Sequence, residues 1–200
     1  LVELEAVVLQ RKRINTQDCY LTLFSRQMGR VDVFARNANH PKSPLTSGSS
    51  PFSYGLYQVS GKGSLQLRSI ELKESFYGLR ENFESMLMGS FFSKLMLSFF
   101  QEKQVSQAAF ELFVNMLTLL QKFPVYKEKL LVYFEAHLIE IQGIQPDLFC
   151  VKEGDEGYYL SMETGEAIKA QGKDETKELL LWKAALEMNL STFLNHPWDE

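Results

Sequence analysis

The sequence predicts an α+β protein, a small N-terminal β-barrel followed by an all-α helical domain that carries a short irregular or hairpin insertion. Three observations predict this. Through residue 75 or so, apolar and polar side chains alternate. From about Gly78 the apolar residues recur every three or four positions. Between residues 146 and 173 a polar stretch with Gly154, Gly157, Gly165 and Gly172 breaks that spacing. The expected division is a barrel over 1–77 and a helical domain over 78–200, with 146–173 as the insertion.

Val2, Leu4, Ala6 and Val8 alternate with Glu3, Glu5 and Val7, the pattern of a half-buried strand. Tyr20 to Phe24 forms a second strand. Gln27-Met28-Gly29-Arg30 turns the chain into a third, Val31 to Ala35, with Gly29 able to take a positive φ. Residues 37–51 hold Pro41, Pro44, Gly48 and Pro51 among Ser and Asn, so they read as a long loop of the functional or mobile kind. Phe52 to Ser60 and Leu65 to Ser75 pair across Gly61-Lys62-Gly63. Five short strands in this length suit a small closed barrel such as an OB-fold.

Helical spacing then runs through Leu79, Phe83, Met86 or Leu87, Phe91, Leu95 and Phe99. A second helix, Val105 to Phe123, is apolar almost all round and so predicts a central position. Pro124 ends it. A third runs from Tyr126 to about Gln142 with Leu130, Phe134, Leu138 and Ile141 on one stripe, closed by Gly143 and Pro146. Tyr158–Ser161 and Glu166–Lys169 suit a hairpin around Glu163-Thr164-Gly165. Asp174 suits the cap of a last helix bearing Leu179, Trp182, Ala185, Leu186 and Asn189.

Composition narrows the function classes. An apolar fraction of 45% excludes wholesale disorder. The longest apolar stretch, Met86 to Phe100, is interrupted by Lys94 and is shorter than the ~20 residues a bilayer span needs, so no membrane partner is expected. Leu1 opens a strand pattern and not a secretory signal; the absence of an initiator Met suggests that a few residues precede it. Cys19 and Cys150 are too few for a disulfide framework or a four-cysteine zinc site, which points to a reducing cytoplasm. The net charge of −4 hides an asymmetry. Residues 1–78 carry ten basic and six acidic side chains, a net +4, and residues 79–200 carry −8. A basic barrel suits a polyanionic partner, although +4 is also ordinary for a small domain.

No enzyme signature is present. G-x-S-x-G, Walker A and H-E-x-x-H are absent, and Gly61-Lys62-Gly63 is followed by a strand where a phosphate loop needs a helix. Cys19 lacks an assignable base and reads as structural, His137 as a core or rim residue, and Asp155-Glu156 as solvated charge. The informative cluster is Arg11-Lys12-Arg13 with Arg36 and Lys42. Cations that follow phosphates beside rings that stack on bases are how single-strand binders work. The candidate rings are Tyr20, Phe34 and Tyr54, each of which equally suits a core position. Lys94, Lys122, Lys127 and Lys129, beside Phe91, Phe92, Phe123 and Tyr126, suit an acidic peptide ending in an apolar residue, or else a core with solvated lysines.

Several segments resemble one family in order. Val8-Leu9-Gln10-Arg11, Asp18, Leu21-Thr22-Leu23-Phe24-Ser25-Arg26 and Gly29-Arg30 are similar to the opening of the bacterial recombination mediator RecO. Ala35-Arg36-Asn37-Ala38 with Pro41-Lys42-Ser43, then Pro51-Phe52, Glu74-Ser75-Phe76-Tyr77-Gly78-Leu79-Arg80 and Gly143-Ile144-Gln145-Pro146-Asp147-Leu148 resemble later family segments. The resemblance implies an OB-fold and a helical domain without enzymatic turnover, located in the cytoplasm at the bacterial nucleoid. It implies binding of single- and double-stranded DNA and annealing of complementary strands. It further implies partnership with RecR in loading RecA onto strands coated by single-strand-binding protein (SSB), and contact with the acidic SSB tail. Many members carry a four-cysteine zinc site. Here Cys150 stands alone at the first position with Glu153 where a partner belongs, so a zinc-free variant without cofactor is expected. Asn37 replaces a family glycine, and Asn39 and His40 stand where arginine is common. The second expectation is therefore a protein-interaction scaffold with weak intrinsic DNA binding.

Overall fold

The computed structural model describes residues 1–143, 158–160, 167–169 and 184–195. The chain divides into two compact units, Leu1–Lys127 and Glu128–Glu200.

The first unit opens with β1 (Val2–Arg13), β2 (Cys19–Ser25), β3 (Gly29–Ala35), β4 (Tyr54–Ser60) and β5 (Leu65–Glu74). They close into a barrel in the order β1-β2-β3-β5-β4. All pairs are antiparallel except β3 and β5, which pair in parallel through Val33↔Leu65 and Phe34↔Gln66. The arrangement is that of an OB-fold. Leu4, Ala6, Val8, Leu21, Leu23, Val31, Val33, Tyr57, Val59 and Leu67 fill the interior. The inward alternation of β1 through Leu4, Ala6 and Val8 follows the sequence pattern. Val7 and Phe24 face the other way yet are also fully buried, and Phe24 packs on Phe100 at 5.1 Å. Helical segments cover this side of the barrel, which strand alternation by itself does not reveal.

The register of β1 shifts between Val8 and Gln10. A bulge adds one residue and reverses which side chains face inward beyond it. Arg11 and Arg13 therefore stand opposite Leu21 and Cys19, both interior residues, whereas Lys12 stands opposite the outward Tyr20.

The long β3–β4 connection is pinned. Ala38 and Leu45 join the barrel core. Thr46 Oγ1 donates to the carbonyls of His40 (2.7 Å) and Ala38 (3.2 Å), and Ser49 Oγ to that of Leu45 (2.6 Å). The Tyr57 hydroxyl donates to the carbonyls of Gly48 and Ser53 at 2.9 and 3.0 Å, and burial pushes this phenol well above its ordinary pKa. Removing the long loop's freedom in this way satisfies the polar groups that its small residues bring into the core.

The helices of this unit are α1 (Tyr77–Glu81), α2 (Phe83–Phe99) and α3 (Gln107–Lys122). Asn82 interrupts the single helix expected from Gly78 and caps α2 by accepting from the Ser85 amide at 2.9 Å. Its inward face is Ser85, Gly89, Phe92, Ser93 and Met96. Of the stripe expected from spacing, Phe83, Leu87 and Phe91 lie outside, Leu95 and Phe99 are half-buried, and Leu79, on α1, is buried. Small residues share the inner face with Phe92 and Met96 because they allow close approach: a Cβ on Gly89 would lie 3.2 Å from the Phe52 ring. In α3, Ala109, Phe110, Phe113, Met116, Leu117 and Leu120 are buried, while Leu112, Val114 and Leu119 are half-buried, so this helix is central on one face only.

A polar clasp joins α3 to the barrel. The Glu5 carboxylate accepts from Arg26 Nε (2.8 Å), Lys73 Nζ (3.0 Å) and the Tyr54 hydroxyl. Arg26 Nη1 reaches Glu111 on α3 at 2.6 Å, and its guanidinium lies 4.8 Å from the Phe110 ring centroid. A second strap runs from the β2–β3 turn to the α2–α3 connection. Lys103 N donates to the Arg30 carbonyl, and Arg30 Nη1 to the Leu97 carbonyl at 2.9 Å. Gly29, at φ +65°, leaves room for this connection, since a Cβ there would lie 2.0 Å from the Gln104 carbonyl oxygen.

In the second unit, α4 (Lys127–Ile141, its first residue shared with the first unit) buries Leu130, Phe134, Ala136 and Leu138. Ala136 packs with Ala184, Ala185 and Phe193. β6 (Tyr158–Leu160) and β7 (Ala167–Lys169) form the expected antiparallel hairpin. Residues 184–187 are helical, and Asn189 then caps α5 (Leu190–Asn195) by accepting from the Thr192 amide at 3.0 Å. Cys150, Glu153 and Asp174 lie outside the described residues.

Candidate nucleic-acid interface

The barrel end at which β1 finishes, β2 begins and β3 finishes gathers the predicted cations. The register sets Arg13 beside Cys19 and Cys19 beside Ala35, so Arg11–Arg13 and Arg36 converge there. Polar contacts then lock the two adjoining loops together. Asn39 Nδ2 donates to the carbonyls of Asn15 and Asp18 at 3.1 and 2.9 Å. Asp18 Oδ1 accepts from the Asn37 amide and Oδ2 from Asn15 Nδ2. These two bonds, with the nearby Arg36 charge, hold the Asp18 carboxyl below its ordinary pKa.

The predicted cations differ in role. Arg11 is half-buried, and its Nη2 donates to Ala38 O (3.1 Å) and Asn39 Oδ1 (2.5 Å). It positions the loop and stands beside the Cys19 thiol, which burial pushes above the usual range. Arg13 is exposed but folds onto the Asn15 carbonyl through Nε at 3.0 Å. Lys12, Arg36 and Lys42 are exposed. Lys62 and Arg68 were not singled out from sequence. The parallel β3–β5 register sets Leu65 and Gln66 beside Val33 and Phe34, so β5 runs on towards this end with Arg68 exposed and its Nε on Ser60 Oγ, whereas the Gly61–Ser64 turn with Lys62 comes before that pairing, on the side away from Arg36. Only strand order reveals that neighbourhood.

Of the three candidate rings, Tyr20 is 42% exposed and Phe34 half-buried, and they meet edge-to-face at 5.5 Å. Tyr54 is committed elsewhere: its hydroxyl bonds Glu5, its ring packs on Phe110, and burial with the neighbouring carboxylate raises its pKa.

Within the first unit the residues of the other predicted cluster lie on different elements. Phe91 and Lys94 are exposed together on α2, while Phe92 on the opposite face is fully buried. Lys127 pairs with Glu84, ten residues before Lys94 along α2, which is roughly 15 Å at the helical rise. Lys122 is exposed at the end of α3, and Lys129 Nζ donates to the Leu194 carbonyl in the second unit. Phe83 (72% exposed) and Leu87 (61%) extend the Phe91 face instead. Among the described residues no group of His, Cys, Asp and Glu is arranged to hold a metal, and no helix is long and apolar enough to cross a membrane.

A closed five-stranded barrel of OB-fold type followed by helices defines the class of protein. Family comparison agrees in both parts. The family model described as "Recombination protein O N terminal" matches residues 1–76, and "Recombination protein O C terminal" matches residues 80–190. The chain belongs to the recombination protein O (RecO) family. The DNA repair protein RecO of Alkaliphilus metalliredigens is 31% identical over 156 residues, 77% of this chain and 63% of that protein. That of Acetivibrio thermocellus is 27% identical over 162 residues, 77% and 64% of the two chains. That of an Exiguobacterium species is 25% identical over 210 residues, all of this chain and 84% of its own. The chain thus spans under two thirds of the length of the first two of these relatives.

Proposed function

We propose that this protein is a non-enzymatic DNA repair and recombination mediator of the RecO type. It binds single- and double-stranded DNA, anneals complementary strands, and with RecR helps load RecA onto SSB-coated single strands. The observation that carries the reading is the convergence of Lys12, Arg13 and Arg36 at one barrel end, with Lys42 exposed on the loop that leaves it. Cations held on a rigid edge neutralise phosphates, lower strand–strand repulsion and leave base edges free to pair. The relatives' description as DNA repair proteins supports the same role. The barrel is the DNA-binding domain (1–77), and the helical part (78–200) is the domain that meets protein partners. The work is done in the cytoplasm at the nucleoid.

The test is annealing of complementary oligonucleotides by the full chain, on naked and on SSB-coated strands, with and without RecR. Acceleration that is lost on reversing the charges of Arg13, Arg36 and Lys42 is the expected result. Failure to bind or anneal DNA at low salt overturns the reading.

A second reading rests on the exposed apolar face of α2. Phe83, Leu87 and Phe91, with Lys94 one turn beyond, suit a partner segment that combines apolar and acidic groups, such as the SSB tail. On this reading the chain is chiefly a scaffold for SSB and RecR. Titrating bare oligonucleotide at low and moderate salt separates the two, since tight binding at moderate salt defeats the scaffold.

A further inference from the structure

We infer that Tyr20 and Phe34 form a base-stacking platform that makes this barrel prefer unpaired strands to duplex. The inference rests on the nucleic-acid reading and adds the element that selects between its two substrates. The register places Lys12, Tyr20, Phe34 and Gln66 in one row across β1, β2, β3 and β5. Cys19 and Leu21, on either side of Tyr20, are fully buried, so Tyr20 itself faces outward. The rings meet edge-to-face with an interplanar angle of 62°, which fixes each against the other.

Three features separate this pair from ordinary surface aromatics. The Tyr54 and Tyr57 hydroxyls are hydrogen-bonded within the fold, whereas the Tyr20 hydroxyl has no such partner among the described residues. The platform adjoins the cationic end, with Lys12 directly across from Tyr20. The next row inward ends in Asp32, which accepts from Thr22 Oγ1 at 2.6 Å, and that carboxylate repels phosphates. A strand is thereby confined to the track between Asp32 and the Arg36 edge. Duplex DNA keeps its bases stacked on one another and offers this ring only backbone. A single strand can turn a base face onto it.

The experiment compares the wild-type full chain with Tyr20→Ala, Tyr20→Phe and the double variant Arg36→Glu/Lys42→Glu. Each binds a thymidine oligonucleotide, a duplex of equal length, and a single strand carrying 2-aminopurine. Tyr20→Ala is expected to weaken single-strand binding about fivefold to 150-fold, the effect of losing one base–ring stack. Duplex affinity and the salt slope stay unchanged. Quenching of 2-aminopurine is lost, and Tyr20→Phe restores it. If Tyr20→Ala binds single strands as wild type does while the charge variant loses both substrates, the platform is overturned and the interface stands. Equal loss of single strand and duplex in Tyr20→Ala likewise overturns the selective role. If the charge variant also binds both normally, the underlying interface falls and the platform with it.

Discussion

Replacing Glu5 by Gln removes the charge at the centre of the barrel–α3 clasp while nearly keeping the shape. Hydrogen bonds from Tyr54, Lys73 and Arg26 outweigh the partial burial of Glu5 and lower its pKa from 4.5 to about 2. The side chain is 18% exposed, so screening by solvent is limited. The difference is equivalent to roughly 3 kcal/mol of stability in the ionised state. Because the folded-state pKa lies below the unfolded one, this contribution is complete above pH 4.5 and lost as the pH falls towards 2. The matching upward pKa shifts of Arg26 and Lys73 agree in sign. Urea denaturation of both proteins from pH 7 to pH 3 is the assay. Glu5→Gln is expected to be less stable by about 3 kcal/mol at pH 7, with the gap narrowing below pH 4.5. A gap that stays constant across this range, or its absence at pH 7, refutes the idea that an ionised Glu5 holds the clasp.

Other outcomes follow from the same geometry. Phe92→Ala should cost about 3–5 kcal/mol in denaturant melts, and its neighbour Phe91→Ala less than about 0.5 kcal/mol, because only the first empties a core site. Gly29→Ala should lower the melting temperature by several degrees and cost at least about 2 kcal/mol, since the new methyl meets the Gln104 carbonyl at a left-handed φ. In oligonucleotide titrations, Arg36→Ala and Lys42→Ala should each reduce the slope of log affinity against log salt by about 0.7. Arg11→Met should instead loosen the 37–39 segment, read as faster amide exchange of Asn37 and Asn39, with little change in that slope.

Local pattern carried the architecture. Period-two alternation around Gly29 and Gly61-Lys62-Gly63 sufficed for five strands, because a barrel strand with one wet face writes its alternation into the chain. Pro124 and Gly143 marked helix ends for equally local reasons. The ordered family segments extended this to RecO membership. Composition also exposed the positive balance of residues 1–78.

What tertiary structure decided is which side chains occupy which side. The bulge in β1 splits the Arg11-Lys12-Arg13 triplet, turning Lys12 outward to Tyr20 and Arg11 towards the loop it anchors. On α2 Phe83, Leu87 and Phe91 lie outside, while Ser85, Gly89 and Ser93 join Phe92 and Met96 inside, because the close approach of Phe52 at Gly89 leaves room there only for a small residue. Arg68 is directed towards the cationic end only through the parallel pairing of β3 with β5, a contact between residues about thirty positions apart. Periodicity reports how many faces an element buries. The neighbour that covers each face is chosen by long-range packing, which no window of adjacent residues encodes.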